Sequence, residues 1–111
     1  MIVIIPAYEP DYRLENLVKS LKKEKNLKLI VVNDGSSSDE VFNKIKNDVI
    51  ILKHDINLGK GIAMKTGLNY VLNNFKDESV IFADADGQHS SDDIIKMLFG
   101  GGIWHNYKLG F

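Results

Sequence analysis

The sequence predicts an α/β domain, an open and mostly parallel sheet with helices on both faces, and three observations predict it. Four short apolar runs recur along the chain without polar alternation, amphipathic helical stretches lie between them, and the polar, glycine-rich segments follow the runs. Continuous Val/Ile runs mark strands buried on both faces, and a βαβαβαβ alternation implies right-handed crossovers. In such sheets ligands bind beyond the carboxyl ends of the strands, where every unusual segment of this chain falls.

The first run, "IVII" (2–5), leads into "PAYEPD". Pro6 and Ala7 predict a fixed backbone turn, Tyr8 an aromatic face and Glu9 a carboxylate. An aromatic ring beside an acid suits a nucleobase, which stacks on the ring and donates to the acid. A strand-ending proline with a partly buried tyrosine explains the same residues. Residues 12–25, "YRLENLVKSLKKEK", set Leu14, Leu17, Val18 and Leu21 on one stripe opposite lysines, the period of a helix lying on a sheet.

The second run, "LKLIVV" (27–32), leads into "NDGSSSDE". Asp34 and Gly35 predict a tight turn. Ser37 and Glu40 have capping-box spacing at the start of a helix that carries Val41, Phe42 and Ile45. A plain N-cap accounts for Ser37 or Ser38, whereas Asp34 precedes the cap and sits at the strand end, within reach of a base or ribose.

The third run, "VIIL" (49–52), leads into "HDINLGKG". Lys60 lies between two glycines just before a helix expected from about Gly61 to Asn74, with Ile62, Ala63, Leu68, Val71 and Leu72 inward. Backbone amides and one ammonium can meet a phosphate there. Neither the P-loop spacing GxxxxGK[ST] nor a GxGxxG after the first run is present, which removes the main support for a P-loop or a dinucleotide site.

The fourth run, "VIFA" (80–83), leads into "DADGQHSSDD". Two carboxylates about 4 Å apart repel by roughly 4 kcal/mol at an effective dielectric of 20, so the pair asks for something cationic between them. Asp84, Asp86 and Gln88 offer hard oxygens that suit Mg²⁺ or Mn²⁺, an ion that keeps positions open for phosphate oxygens and neutralises a leaving diphosphate. Solvated acids capping the next helix are the plainer alternative, but Ser90 already supplies a cap. His89 reads as a further ligand or an ordinary loop histidine. A fourth helix is expected after Ser90 with Ile94, Ile95, Met97 and Leu98. His54 and His105 have no partner legible in the sequence.

Composition narrows the partners. With 111 residues, 44% of them hydrophobic, the chain is one domain or a piece of one. A formal net charge of -1, a pI near 6.3 and scattered lysines argue against nucleic acid. The absence of cysteine excludes disulfides, thiolate zinc sites and a cysteine nucleophile. The opening "MIVIIPAYEP" has no basic n-region and no run of spanning length, so the expected location is cytoplasmic, at most peripheral to a membrane.

Taken together, "IIPAYEP", "VVNDGSSSDE", "NLGKGIAMKTGL" and "IFADADGQHSSDDI", in that order and spacing, resemble the family 2 glycosyltransferases of the GT-A fold, the group that includes polyprenyl-phosphate sugar synthases. The resemblance covers residues 1 to about 95. It implies that Pro6, Ala7, Tyr8 and Glu9 hold the nucleoside, that Asp34 hydrogen-bonds the base and that Lys60 lies near the nucleotide. It also implies that Asp84 lies near the ribose and metal, and that Asp86 and Gln88, beyond Ala85, belong to the metal-binding DxD element. The implied cofactor is Mg or Mn. The implied donor is a nucleotide-diphosphosugar, a UDP-sugar ahead of a GDP-sugar, and the implied reaction is inverting transfer to an acceptor hydroxyl activated by a general base.

Two departures stand out. Glu9 occupies the place of the family's usual asparagine after the tyrosine, and "FGGGIWHNYKLGF" (99–111) resembles nothing in the family's second half, which supplies the acceptor site and the base. Residues 1–98 are therefore expected to form the nucleotide-diphosphosugar-binding half and 99–111 an atypical glycine- and aromatic-rich tail, unlike a helix or a regular strand. Such a tail is either a truncated, loosely packed end or an apolar patch of Trp104, His105, Tyr107 and Phe111 that covers the core by forming a homo-oligomer. Two rival readings differ in chemistry. A HAD-type phosphohydrolase would use Asp84 as nucleophile and Asp86 as acid and base, although Gln88 replaces the residue usual there. A nucleotide-binding module would keep the fold without the catalysis.

Overall fold

The computed structural model describes residues 1–24 and 26–85 and the strand placement of 95–100 and 103–108. In chain order the elements are β1 (Ile2–Ala7), α1 (Tyr12–Lys22), β2 (Lys28–Asp34), α2 (Glu40–Ile45), β3 (Ile50–His54), α3 (Lys60–Asn74), β4 (Ser79–Phe82), β5 (Ile95–Gly100) and β6 (Ile103–Lys108). The sheet order is β3-β2-β1-β4-β5-β6. The first four strands are mutually parallel, and β5 and β6 are antiparallel additions.

The run of β-branched residues in β1 makes sense because both faces of that strand are covered. Successive side chains point to opposite faces. Val3 and Ile5 pack with Val31, Ile81 and the inner faces of α1 (Leu14, Val18, Leu21) and α2 (Phe42, Ile45). Ile2 and Ile4 face the other way, with Ile30, Val32, Val80 and Phe82, against Ala63 and Val71 of α3. Each fully buried Ile or Val contributes about 1.5–3 kcal/mol, so the two layers pin the register of the central strands.

The buried residues of α3, Ala63, Gly67 and Val71, are small or medium-sized because the helix lies close to β1. A Cβ on Gly67 would come within 2.5 Å of the Ile4 side chain. Ile62 and Leu72, expected inward, are each 46% exposed, since they flank that narrow stripe. Pro6, expected in a turn, belongs to β1 instead. β4 pairs with β1 only as far as Ile4, so Pro6 sits where one neighbouring strand has already left.

The expected fourth helix is overturned. Residues 95–98 lie in β5, with Phe82 opposite Ile95 and Ser79 opposite Leu98. A short apolar run fits a strand or a helix on periodicity alone, and the glycines that follow it are a strand-bounding signal. The tail, expected to be unlike a strand, places Ile103–Lys108 in β6, with Gly100 opposite Ile103. Two glycines separating two such runs are a hairpin signature.

The sheet order positions the site. The chain steps from β1 to β2 and β3 in one direction, then returns through α3 to lay β4 on the opposite side of β1. The switch point is thus between β1 and β4, and the carboxyl ends of those strands are where open α/β sheets bind their ligands.

Candidate functional site

Asp34 ends β2 and is only 3% exposed. Its Oδ1 lies 2.8 Å from His54 Nδ1 and accepts from the Leu58 N–H at 2.9 Å. Its Oδ2 accepts from Asn57 Nδ2 at 3.1 Å and from the Gly59 N–H at 2.9 Å. Burial pushes this carboxyl up, but the hydrogen bonds from His54, Leu58 and Gly59 outweigh it and hold the group below its ordinary value. An ionised carboxylate offers about four lone-pair sites, and these four donors fill them. Asp34 therefore anchors the loop that leads into α3. Any contact with a base, which the resemblance implies for Asp34, has to displace one of those donors.

His54 is the register partner of Asp34 across β2 and β3. Because a carboxylate only accepts, the ring donates from Nδ1, which turns Nε2 to the Thr66 hydroxyl, 2.8 Å away. Asp34, His54 and Thr66 thus tie β2, β3 and α3 together. The turn after β2 is equally constrained. Asn33, 1% exposed, accepts from the Ser36 N–H at 3.0 Å, and Gly35 has φ +73°. A Cβ on Gly35 would stand 2.2 Å from the backbone of Ile56, so only glycine lets the two loops touch.

Glu9 joins the first loop to the second. Its N–H donates to Ser36 Oγ at 2.9 Å, and its carboxylate accepts from the Ser37 N–H at 2.5 Å and the Ser37 hydroxyl at 2.9 Å. Ser37 is therefore not the helix cap. α2 starts at Glu40, whose N–H donates to Ser38 Oγ at 3.1 Å, and the expected capping box does not form. Tyr8, next to Glu9, is 57% exposed.

Lys60 opens α3, and Asp84 stands two residues beyond β4. Their ammonium and carboxylate are in contact, so the structure brings together two residues that the sequence placed only on the same rim. Gly59, the N-cap of α3, has φ +101°, and among the described residues nothing beyond the adjoining chain lies within 4 Å of where a Cβ on Gly59 or Gly61 would stand. Ala85 is partly buried and packs against the α1 face of the core.

A divalent cation can be tested against these groups by their chemistry. Asp84 offers carboxylate oxygens just beyond the carboxyl end of β4, which fits Mg²⁺ or Mn²⁺, ions held by one or two carboxylates plus phosphate oxygens. Asp86 and Gln88, the other expected ligands, and His89 lie outside the described residues. Among the described residues no group of three or more His, Asp or Glu side chains could hold a metal. No helix among them is long and apolar enough to cross a membrane.

His54, Asn57, Ser36 and Thr66 were not singled out by sequence reasoning. For His54 a signal existed: extending the third run by two residues places it level with Asp34 in parallel register. Asn57 and Thr66 carried none, because their partners come from other loops.

Comparison with known proteins gives the following. The profile described as Glycosyl transferase family 2 matches residues 2–99. An uncharacterized protein of Methanocaldococcus jannaschii is 35% identical over 98 residues, covering 88% of this chain and 40% of its own length. A UDP-N-acetylglucosamine--dolichyl-phosphate N-acetylglucosaminyltransferase of Methanococcus voltae is 34% identical, covering 86% and 45%. Thus the chain spans less than half the length of these relatives. Among solved structures, glucosyl-3-phosphoglycerate synthase from Mycobacterium tuberculosis, in complex with Mn²⁺, UDP and glucosyl-3-phosphoglycerate, superposes with a TM-score of 0.58 at 21% identity. That match covers 76% of this chain and 32% of the synthase, and it shows a shared fold.

Proposed function

The chain belongs to glycosyl transferase family 2, and on that premise we propose that it forms the donor-binding part of an enzyme transferring a sugar from a nucleotide-diphosphosugar to an acceptor. The observation that carries this reading is the meeting of Lys60 and Asp84 at the switch point, with the exposed ring of Tyr8 at the end of β1 on the same rim. A cation, a carboxylate and an aromatic face at the carboxyl ends of parallel strands are what a nucleoside diphosphate needs.

In this reading Tyr8 stacks the base, with Pro6, Ala7 and Glu9 shaping the first loop around the nucleoside. Lys60 donates to the diphosphate. Asp84, with Asp86 and Gln88, holds Mg²⁺ or Mn²⁺, which would supply Lewis-acid stabilisation of the leaving diphosphate. Ala85 spaces the two acids. Asp34 acts by holding Leu58 and Gly59 in place beneath Lys60. The base that takes the acceptor proton is assigned to no residue of this chain.

The names of the relatives and the UDP and Mn²⁺ in the synthase complex support a UDP-sugar donor and a divalent metal. The dolichyl phosphate in the archaeal enzyme's name supports a lipid-linked phosphate acceptor and a site peripheral to a membrane. We retain the donor-binding reading of residues 1–98, although β5 runs across that boundary to Gly100 and joins β6 to the same sheet, and we read the tail from 99 as a self-association surface; a monomeric mass by light scattering at high concentration would refute that surface. The family match removes the phosphohydrolase reading of Asp84 and Asp86. A binding module without catalysis is the remaining alternative, and turnover of a UDP-sugar would exclude it.

The test is calorimetric titration of UDP, GDP and a UDP-sugar with Mn²⁺ present and then with EDTA. Metal-dependent binding selective for UDP is expected, and Asp86→Ala is expected to abolish it. Equal binding in EDTA, or unchanged affinity in the variant, would remove the metal from the reading.

A further inference from the structure

Lys60, the first residue of α3, and Asp84, just beyond β4, are 24 residues apart in the chain, yet the ammonium touches Asp84 Oδ1. We propose that Lys60 is the resident counter-cation of Asp84, so that the site takes up a divalent ion together with a nucleotide diphosphate and discriminates against the free ion. The inference rests on the donor-site reading above and specifies how that site is loaded.

The argument is one of charge and reach. A divalent ion and an ammonium on the same carboxylate repel each other as like charges, so binding of the ion favours movement of Lys60 away from Asp84. The displaced ammonium then needs another anion nearby, and a diphosphate brought in with the ion provides it. Free metal brings no such anion and leaves Lys60 stranded beside it.

The structure suits this exchange at both ends of the side chain. The root is fixed, because Asp34 holds the N–H groups of Leu58 and Gly59 immediately before Lys60. The head is loose: the Lys60 side chain is 63% exposed, and among the described residues nothing beyond the adjoining chain lies within 4 Å of the Cβ positions of Gly59 and Gly61 on either side. Ion pairs as exposed as this one are weak, which lets the partner be changed at little cost. Coupling of this kind is reciprocal, so the ion raises affinity for the diphosphate by the factor by which the diphosphate raises affinity for the ion.

The test titrates MnCl₂ alone, and separately UDP at saturating Mn²⁺, into the full chain and its Lys60→Gln, Lys60→Arg and Asp84→Asn variants. Lys60→Gln is expected to bind free Mn²⁺ about threefold more tightly, the scale of an exposed ion pair, and Mn²⁺–UDP about fivefold or more weakly. Lys60→Arg is expected to keep the wild-type affinity for free Mn²⁺. Opposite signs in one variant are a result that a merely structural role for Lys60 would not produce. Unchanged or weaker free Mn²⁺ binding by Lys60→Gln would overturn the exchange. Asp84→Asn separates the two levels: if it removes Mn²⁺ binding while Lys60→Gln leaves it unchanged, the donor site stands and the exchange falls. If Asp84→Asn keeps wild-type Mn²⁺ affinity, the donor-site reading itself fails.

Discussion

Asp34 and His54 end adjacent parallel strands in register, and their Oδ1 and Nδ1 atoms lie 2.8 Å apart in the buried layer beneath the β3–α3 loop. Through this pair the strand ends set the position of a loop, and through the loop the position of Lys60. The stability of the site can therefore be tested separately from its chemistry.

Asp34→Asn puts an amide N–H₂ where two donors already point, leaving at least one buried N–H without an acceptor. The expected loss is about 3 kcal/mol of unfolding free energy, read from urea denaturation at pH 7. A loss under about 1 kcal/mol would mean that the loop is not held by this carboxylate.

The same group gives a pH dependence whose sign follows from its lowered value. A depressed carboxyl stabilises the folded state above its unfolded pKa, about 3.9, and that contribution disappears as pH falls through the folded value. The stability gap between wild type and Asp34→Asn should thus be full at pH 5–7 and shrink below about pH 4. Thermal melts from pH 3 to 7 check this, and a gap that widens on acidification would contradict it.

His54→Ala and Thr66→Val test the link to α3. Thr66→Val removes one hydrogen bond to the ring and should cost about 1 kcal/mol, whereas His54→Ala leaves a cavity and a shortfall at Asp34 and should cost about 2–4 kcal/mol. Hydrogen exchange of the Leu58 and Gly59 amides should accelerate in His54→Ala more than in Thr66→Val.

Gly35→Ala and Gly61→Ala form a contrasting pair. At Gly35 a methyl group meets the Ile56 backbone at 2.2 Å with φ at +73°, so a loss above about 3 kcal/mol or a failure to fold is expected. At Gly61 the space is open and the position helical, so a gain of up to about 1 kcal/mol is expected. Parallel urea curves decide both.

Tyr8→Ala should leave stability within about 0.5 kcal/mol, since the ring is mostly exposed, and weaken UDP binding by about tenfold through lost stacking. Tyr8→Phe keeps the ring face and should bind nearly as wild type. Equal affinity in Tyr8→Ala would place the base elsewhere.

Much of this architecture was legible in the residues. The unbroken apolar runs of β1 and β2 announced strands covered on both faces, and the rim location of Tyr8, Asp34, Lys60 and Asp84 followed from strand order of the βα type. Ile95–Gly100 was misread because "IIKMLFG" satisfies a helical stripe and a buried strand equally, and its pairing with β4 was not encoded locally. Ser37 was misread as a cap because its true partner, Glu9, lies 28 residues away.

By itself, the sequence determined the fold class, the family and the rim on which the polar groups gather, because periodicity and strand order are local properties of the chain. Only the tertiary structure decided which of those groups are spent and which are available. Asp34 is consumed by His54, Asn57, Leu58 and Gly59, and Glu9 by Ser37, while Lys60 reaches Asp84 across the switch point. The physical reason is that a lone pair accepts only from donors that folding brings within about 3 Å, and those donors come from loops far apart in the chain.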